Sequence, residues 1–316
     1  MTKESFLENR IKDSGNFPKV VLLDTVNYCN LRCSMCFHGK MKREKGYMPW
    51  DLFTKIIDEI AEKDKNTRVW MVFFGEPFMM GRKNPSIFDF IKYAKSKGMT
   101  DVVLNSNATI MDEEMAQKTI ESGLDAIYIG IDSFSTETYS KTRVGGDYDR
   151  TVKNIEYLLK LKSELNTDSP KVFVQFVEMD INRAEKEDFI KFWQEKGAIV
   201  KIRPMVSWAG KVNAPNLILD NENRWPCHWA MQTMSIVNTG DVVTCAVDLD
   251  ASFVAGNIKE NTLEEVWNSK LKTLRQMHID HEFSKLPDNC KNCKDWQAAS
   301  SEYVEVQTKK QKICAE

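Results

Sequence analysis

Apolar positions along the chain follow two alternating rhythms. Short runs rich in β-branched and aromatic residues recur six times: Lys19–Asp24, Arg68–Phe74, Asp101–Ser106, Asp125–Ile131, Lys171–Glu178 and Ile199–Met205. Between them apolar residues fall at helical spacing. Leu52, Phe53, Ile56, Ile57 and Ile60 make one such face. Asn84-Pro85 predicts a cap with proline in the first turn, and Gly98 predicts the end of that helix. A further helix is expected from about Tyr148 to Leu165, with Val152, Ile155, Leu158 and Leu159 inward. Strands alternating with amphipathic helices predict an α/β fold whose parallel sheet forms an open or partial (β/α)6 TIM barrel.

After Met205 the alternation stops. Ser207–Asn216 reads as a loop and linker, which sets the expected boundary between a core domain at 1–215 and a smaller one at 216–316. The second region predicts a hairpin, Met234–Val237 and Val242–Cys245 about an Asn238–Asp241 turn, and a helix near Leu263–Met277. There is no internal repeat beyond the strand and helix alternation. With 316 residues, 42% of them hydrophobic, the chain can bury a large core. The second region is too small and too rich in cysteine to rest on apolar packing alone, so a metal staple is expected there.

Charge narrows the partners. The 44 basic and 46 acidic residues are well mixed and leave a net charge of −2, with no basic stripe for nucleic acid and no polybasic membrane patch. The first residues carry no signal-peptide apolar region, and runs such as Val20–Leu23 are too short to span a bilayer. A cytoplasmic location is expected. In a reducing compartment eight cysteines argue for metal or redox chemistry over disulfides. Their positions form two groups: Cys29, Cys33 and Cys36, then about 190 residues without cysteine, then Cys227, Cys245, Cys290, Cys293 and Cys314.

The first three thiols follow the first expected strand, at the carboxyl end where barrels build their sites. Three thiolates can hold three irons of a four-iron cluster and leave the fourth open to a ligand. A buried helical stripe would give the same spacing, but Asn27, Asn30 and Arg32 make a poor apolar helix; zinc would want a fourth ligand, and only His38 is near. The pattern CxxxCxxC followed by Phe37 resembles the signature loop of the radical S-adenosylmethionine (SAM) enzymes. Phe73-Phe74-Gly75-Glu76-Pro77 resembles that superfamily's GGEP motif with Phe74 in place of the first glycine. The resemblance implies that Gly75, Glu76 and Pro77 hold the methionine amino group of SAM. It further implies that Asn105, Asn107, Asp132 and Ser133, at the ends of the third and fourth strands, serve its ribose and carboxylate. Arg143 is a carboxylate clamp in the same scheme.

The later cysteines can close a site. Cys227, twelve residues, Gly240, four residues and Cys245 are followed by Cys290-Asn-Lys-Cys293. Ligand identity alone leaves iron–sulfur and zinc even. The arrangement resembles the twitch domain, the shortened form of SPASM, and that of the 2-deoxy-scyllo-inosamine dehydrogenase type of radical SAM enzyme. The resemblance implies one auxiliary [4Fe-4S] cluster that accepts an electron, and a flavodoxin- or ferredoxin-type reductant. It also implies a 5′-deoxyadenosyl radical that takes a hydrogen atom from a substrate C–H, with oxidation of a carbinol in a sugar, aminocyclitol or nucleoside. The loop after the sixth strand departs from that type, having Ser207-Trp208-Ala209-Gly210-Lys211 where an arginine beside glycines is expected; Arg203 or Lys211 is the candidate for its role. Gln175, Glu178 and Trp208 are the other expected substrate contacts. Cys314 is either a free tail thiol or a hydrogen donor, which would make the enzyme an epimerase. Radical modification of a ribosomal peptide is a further alternative, weakened because the first strand starts near residue 19 and leaves no room before it for a peptide-recognition domain. A non-enzymatic iron–sulfur or zinc protein would leave the ordered barrel motifs superfluous.

Overall fold

The computed structural model describes residues 15–220, 222–298, 300–304 and 311–314. Six parallel strands form its centre: β1 (Val20–Leu23), β2 (Arg68–Trp70), β3 (Val102–Ser106), β4 (Ala126–Gly130), β5 (Lys171–Glu178) and β6 (Ile199–Pro204), each paired with the next. Between them run α1 (Trp50–Lys63), α2 (Ile87–Ser96), α3 (Glu113–Glu121), α4 (Thr136–Thr142), α5 (Tyr148–Glu164) and α6 (Lys186–Glu195). This is the α/β partial barrel that the sequence predicts, and all six apolar runs are strands. The second is shorter than its run: the chain leaves the sheet after Trp70, and the Glu76 amide reaches the Tyr28 carbonyl instead.

The helices start where local chemistry lets them. Ser86 and Asp89 form a capping box, so α2 begins beyond Pro85, two residues later than the proline signal suggests. Asp112, Ser135 and Asp147 each cap the next helix through the side chain. Gly98 follows α2 at φ +84, the left-handed turn that glycine adopts freely.

Strand alternation sorts the side chains. Val102 and Leu104, Ile127 and Ile129, Val172, Val174 and Phe176, and Val200 and Ile202 join the core beneath the helices. Their sequence neighbours point inside the barrel. There Tyr128 stacks on Phe173 at 4.4 Å, Trp70 lies 4.8 Å from Tyr128, and Tyr303 meets Phe173 edge-on at 5.7 Å. The Lys201 ammonium sits 4.7 Å from the Tyr128 ring and 5.0 Å from that of Tyr303. This aromatic layer is the floor of the chamber.

The C-terminal third continues the same sheet. Following α7 (His228–Gln232), β7 (Thr233–Ile236) pairs parallel with β1 and carries antiparallel β8 (Asp241–Val243) and β9 (Val254–Asn257). At the opposite edge β10 (Ser300–Val304) runs antiparallel to β6, with β11 (Gln311–Cys314) outside it. The expected hairpin is therefore an extension of the barrel, pinned where Arg43 bonds both Asp24 (2.6 Å) and Asn238 (2.5 Å). The single helix expected near 263–277 is two, α8 (Leu263–Asn268) and α9 (Lys270–Ile279), before the short α10 (Asp288–Lys291). The chain breaks at Ser269 (ψ −113), and Arg275 covers the break by donating to the Trp267 carbonyl at 2.9 Å. Among the described residues no helix is long and apolar enough to cross a membrane.

Phe53 is fully buried on α1, its ring 4.3 Å from Phe90 of α2. Phe53→Ala is expected to lower stability by about 3–5 kcal/mol, read as a lower urea midpoint at unchanged slope.

Candidate active site

Cys29, Cys33 and Cys36 lie on the loop after β1, all three half-buried. Backbone bonds fix this loop to two neighbours. The Arg32 and Ser34 amides donate to the carbonyls of Val144 (2.8 Å) and Thr142 (2.9 Å) at the end of α4, and the Glu76 amide donates to the Tyr28 carbonyl (2.8 Å). Gly75 is required at this crossing, because a Cβ there would collide with the Val26 carbonyl. The Arg143 Nη1 reaches the Cys33 Sγ at 3.6 Å, and the Asn107 amide faces Cys29. His38 turns its ring to the Asn27 carbonyl, 2.7 Å away, and is nearly fully buried there.

The strand ends supply the polar wall. Glu76 is buried and accepts from the Ser106 hydroxyl (2.8 Å) and the amides of Asn107 (2.7 Å) and Phe78 (3.2 Å). Burial pushes its carboxyl up to about 7 despite those donors. Pro77 opens the short turn that follows. Asp132, at φ +60, accepts from the Val177 amide (2.7 Å) and forms an ion pair with Arg143. The guanidinium of Arg143 crosses directly over Gly130, where any Cβ would strike it. Burial opposes the Arg143 charge, but Asp132 and Cys33 more than offset it and raise its pKa.

Other expected contacts separate by register. Asn105 and Gln175 face the chamber, their amides 3.5 Å apart. Glu178 falls on the alternate face of β5, away from the chamber, and pairs with Arg183 (3.2 Å) and Lys186 (3.1 Å). It borders a shallow rim pocket of about 360 Å³ with Met179 and Met205. Ser133 is fully buried, its hydroxyl on the Ile131 carbonyl at 3.3 Å. Arg203 enters the chamber from β6 beside Cys36, Asp132 and Arg143. Burial, with the like charge of Arg143 adding to it, lowers the Arg203 pKa.

The loop after β6 joins the two cysteine groups. Trp208 donates from its indole to the Met35 carbonyl (2.7 Å) and packs 5.5 Å from Phe74. The amides of Ser207 (2.5 Å) and Ala209 (2.9 Å) donate to the carboxylate of Asp295, two residues past Cys293. Lys211 holds its ammonium 5.0 Å over the Phe37 ring. At the second group Cys245 is buried and Cys227, Cys290 and Cys293 are half-buried. Arg224 donates to the carbonyls of Cys290 and Lys291, both at 2.9 Å. Asp295 and Arg224 were not expected from the sequence; the available signal was a charged residue within three residues of a cysteine, and their burial appears only in the fold. Cys314 is placed by its backbone in β11, and its thiol lies outside the described residues.

Both donor sets suit iron–sulfur clusters. Burial, then the charge of Glu76, drives the Cys29 thiol up to about 12. Cys36 is also raised by burial, with Arg143 and Arg203 opposing. At the second group burial raises all four thiols, and proximity to one another raises Cys245 and Cys290 further. Thiolates in such surroundings need a bound cation, which iron provides.

Comparison with known proteins agrees with this geometry. Residues 23–170 match the family model described as the radical SAM superfamily, and 227–294 match SPASM, an iron–sulfur cluster-binding domain. The cofactors these domains imply are SAM and [4Fe-4S] clusters, one of them auxiliary. The tungsten-containing aldehyde ferredoxin oxidoreductase cofactor-modifying protein of Pyrococcus furiosus is 29% identical over 50% of this chain and 43% of its own. The chain spans about half the length of the first curated relatives it matches. The S-adenosyl-L-methionine-dependent 2-deoxy-scyllo-inosamine dehydrogenase of Niallia circulans is 23% identical over 92% of this chain and 96% of its own. In fold, the crystal structure of BtrN in complex with AdoMet and 2-DOIA superposes with a TM-score of 0.61 at 16% identity, covering 87% of this chain and 92% of that one.

Two outcomes are expected. Gly130→Ala displaces Arg143 from Asp132, so SAM affinity should fall about tenfold or more by equilibrium dialysis of reconstituted protein. Glu76 ordinarily titrates at 4.5 and is raised to about 7, so the folded state holds a proton that the unfolded state has released. Apo-protein stability should therefore fall as pH rises from about 4.5 to about 7, and urea unfolding of Glu76→Gln should show a flatter pH dependence across that window.

Proposed function

Because the chain belongs to the radical SAM superfamily and carries an iron–sulfur cluster-binding domain after its barrel, we propose that it dehydrogenates a carbinol of a small metabolite, a sugar, aminocyclitol or nucleoside. The observation that carries this is the match to a dehydrogenase along nearly the whole of both chains, 92% of this one and 96% of that one. When bound, SAM and the first cluster supply hydrogen-atom abstraction from a substrate C–H, and the auxiliary cluster supplies an acceptor for the remaining electron.

The chain's own residues do the rest. Cys29, Cys33 and Cys36 hold the first cluster, and Cys227, Cys245, Cys290 and Cys293 the second. Gly75, Glu76 and Pro77 present the segment against which the SAM amino group rests. Asn105, Asn107 and the Asp132–Arg143 pair line the side facing its ribose and carboxylate, with Ser133 fixing the turn behind Asp132. Gln175 and Arg203 contact the substrate within the barrel. Trp208, tied to Met35, covers the mouth and keeps water from the reacting carbon. Lys211, its ammonium over the Phe37 ring, donates a hydrogen bond to the substrate hydroxyl, the contact expected of an arginine in this loop.

Anaerobically purified protein should contain about eight irons per chain. Incubated with SAM, reductant and candidate polyols, it should remove two hydrogens from the substrate for each deoxyadenosine formed. Unchanged product mass with solvent deuterium incorporated would instead mean epimerisation. Cys314→Ala separates the two again, since a dehydrogenase should be indifferent to it.

A further inference from the structure

Among the charged groups inside the barrel, Arg203 stands apart. Glu76 accepts three hydrogen bonds, Asp132 is paired with Arg143, and Lys201 lies between two aromatic rings. The Nε atoms of Arg203 and Arg143 are both buried without a hydrogen-bond partner, but Arg143 is held by its ion pair with Asp132. A guanidinium donor left this way costs free energy unless something else satisfies it. Asp132 is the carboxylate beside it, and Asp132 is already engaged by Arg143 and the Val177 amide.

The surroundings leave space for a partner. Asn105, Gln175 and Arg203 each retain accessible surface, whereas Val103, Phe173 and Lys201, two residues earlier on the same inward faces, are buried. These three side chains therefore border an open interior rather than a packed one. Arg143 adds a second positive charge next to Arg203, and a low-dielectric wall strengthens its effect on a ligand. Below lie two amides suited to hydroxyl groups, and below those the aromatic floor of Tyr128 and Phe173, suited to the face of a ring. A positively charged amine on the substrate would meet Arg143, Arg203 and Lys201 together.

We propose that Arg203 receives an oxyanion of the substrate, a carboxylate or a phosphate ester, so that the substrate is an acidic sugar or polyol derivative. The planar fork of the guanidinium matches two oxygens of either group. This specificity rests on the dehydrogenation proposed above and narrows its substrate class.

The test uses full-length reconstituted protein saturated with SAM, titrated calorimetrically with inorganic phosphate, gluconate and neutral glucitol. Phosphate or gluconate should bind saturably and glucitol about tenfold or more weakly; whichever anion binds identifies the phosphate or the carboxylate class. Arg203→Gln should lose about tenfold or more of that anion affinity, Arg203→Lys should recover part of it, and SAM affinity and iron content should be unchanged in both. Retained anion binding in Arg203→Gln, or glucitol binding as tightly as the anions, overturns the proposal. So does a loss of SAM affinity in that variant, which would make Arg203 a clamp for the SAM carboxylate. Anion binding that depends on Arg203, without two-hydrogen loss from any acidic substrate, would instead count against dehydrogenation and leave the oxyanion site standing.

Discussion

A parallel sheet of six strands that does not close presents two edges of unpaired backbone groups, and this chain covers both with strands from its C-terminal third. β7 lies on β1 and β10 lies on β6, so the segment bearing the later cysteines is built into the barrel wall. β1 leads directly into the loop of Cys29, Cys33 and Cys36, while Cys227 and Cys245 flank the hairpin that begins with β7. Main-chain pairing between β1 and β7 thereby sets the relation of one cysteine group to the other. The contacts of Trp208 with Met35 and of Ser207 with Asp295 fix it from the other side of the mouth. These links fix the spacing of the two cysteine groups from both sides of the barrel mouth.

The second constraint is charge in a dry interior. Seven thiols are partly or fully buried, and burial opposes ionisation of each one whose titration is shifted. The chain counters this with guanidinium groups: Arg143 and Arg203 beside the first set, Arg224 beside the second. An arginine remains charged where a lysine would lose its proton, which suits it to standing next to sulfur ligands in a low dielectric.

Much of this was legible in the sequence because it depends on local pattern. All six strands and the hairpin follow from period and turn residues, and the two cysteine groups follow from spacing. What could not be read depends on partners far along the chain. Ser300–Val304 gives no sign that it belongs beside residues 200–202, and Arg275 covers the break at Ser269 only once α9 has folded back. Glu178 and Arg203 looked equivalent as polar residues near strand ends. Strand parity separates them: Glu178 shares a face with Val174 and Phe176 beneath the helices, Arg203 shares one with Lys201 inside.

The floor of the chamber is assembled from strands of very different sequence position. Trp70, Tyr128 and Phe173 come from the barrel, but Tyr303 comes from β10 and fits over Lys201. The base of the chamber is consequently shaped in part by Tyr303, from a five-residue strand that bears no cysteine. The width of the interior at that level therefore depends on how β10 is held between β6 and β11.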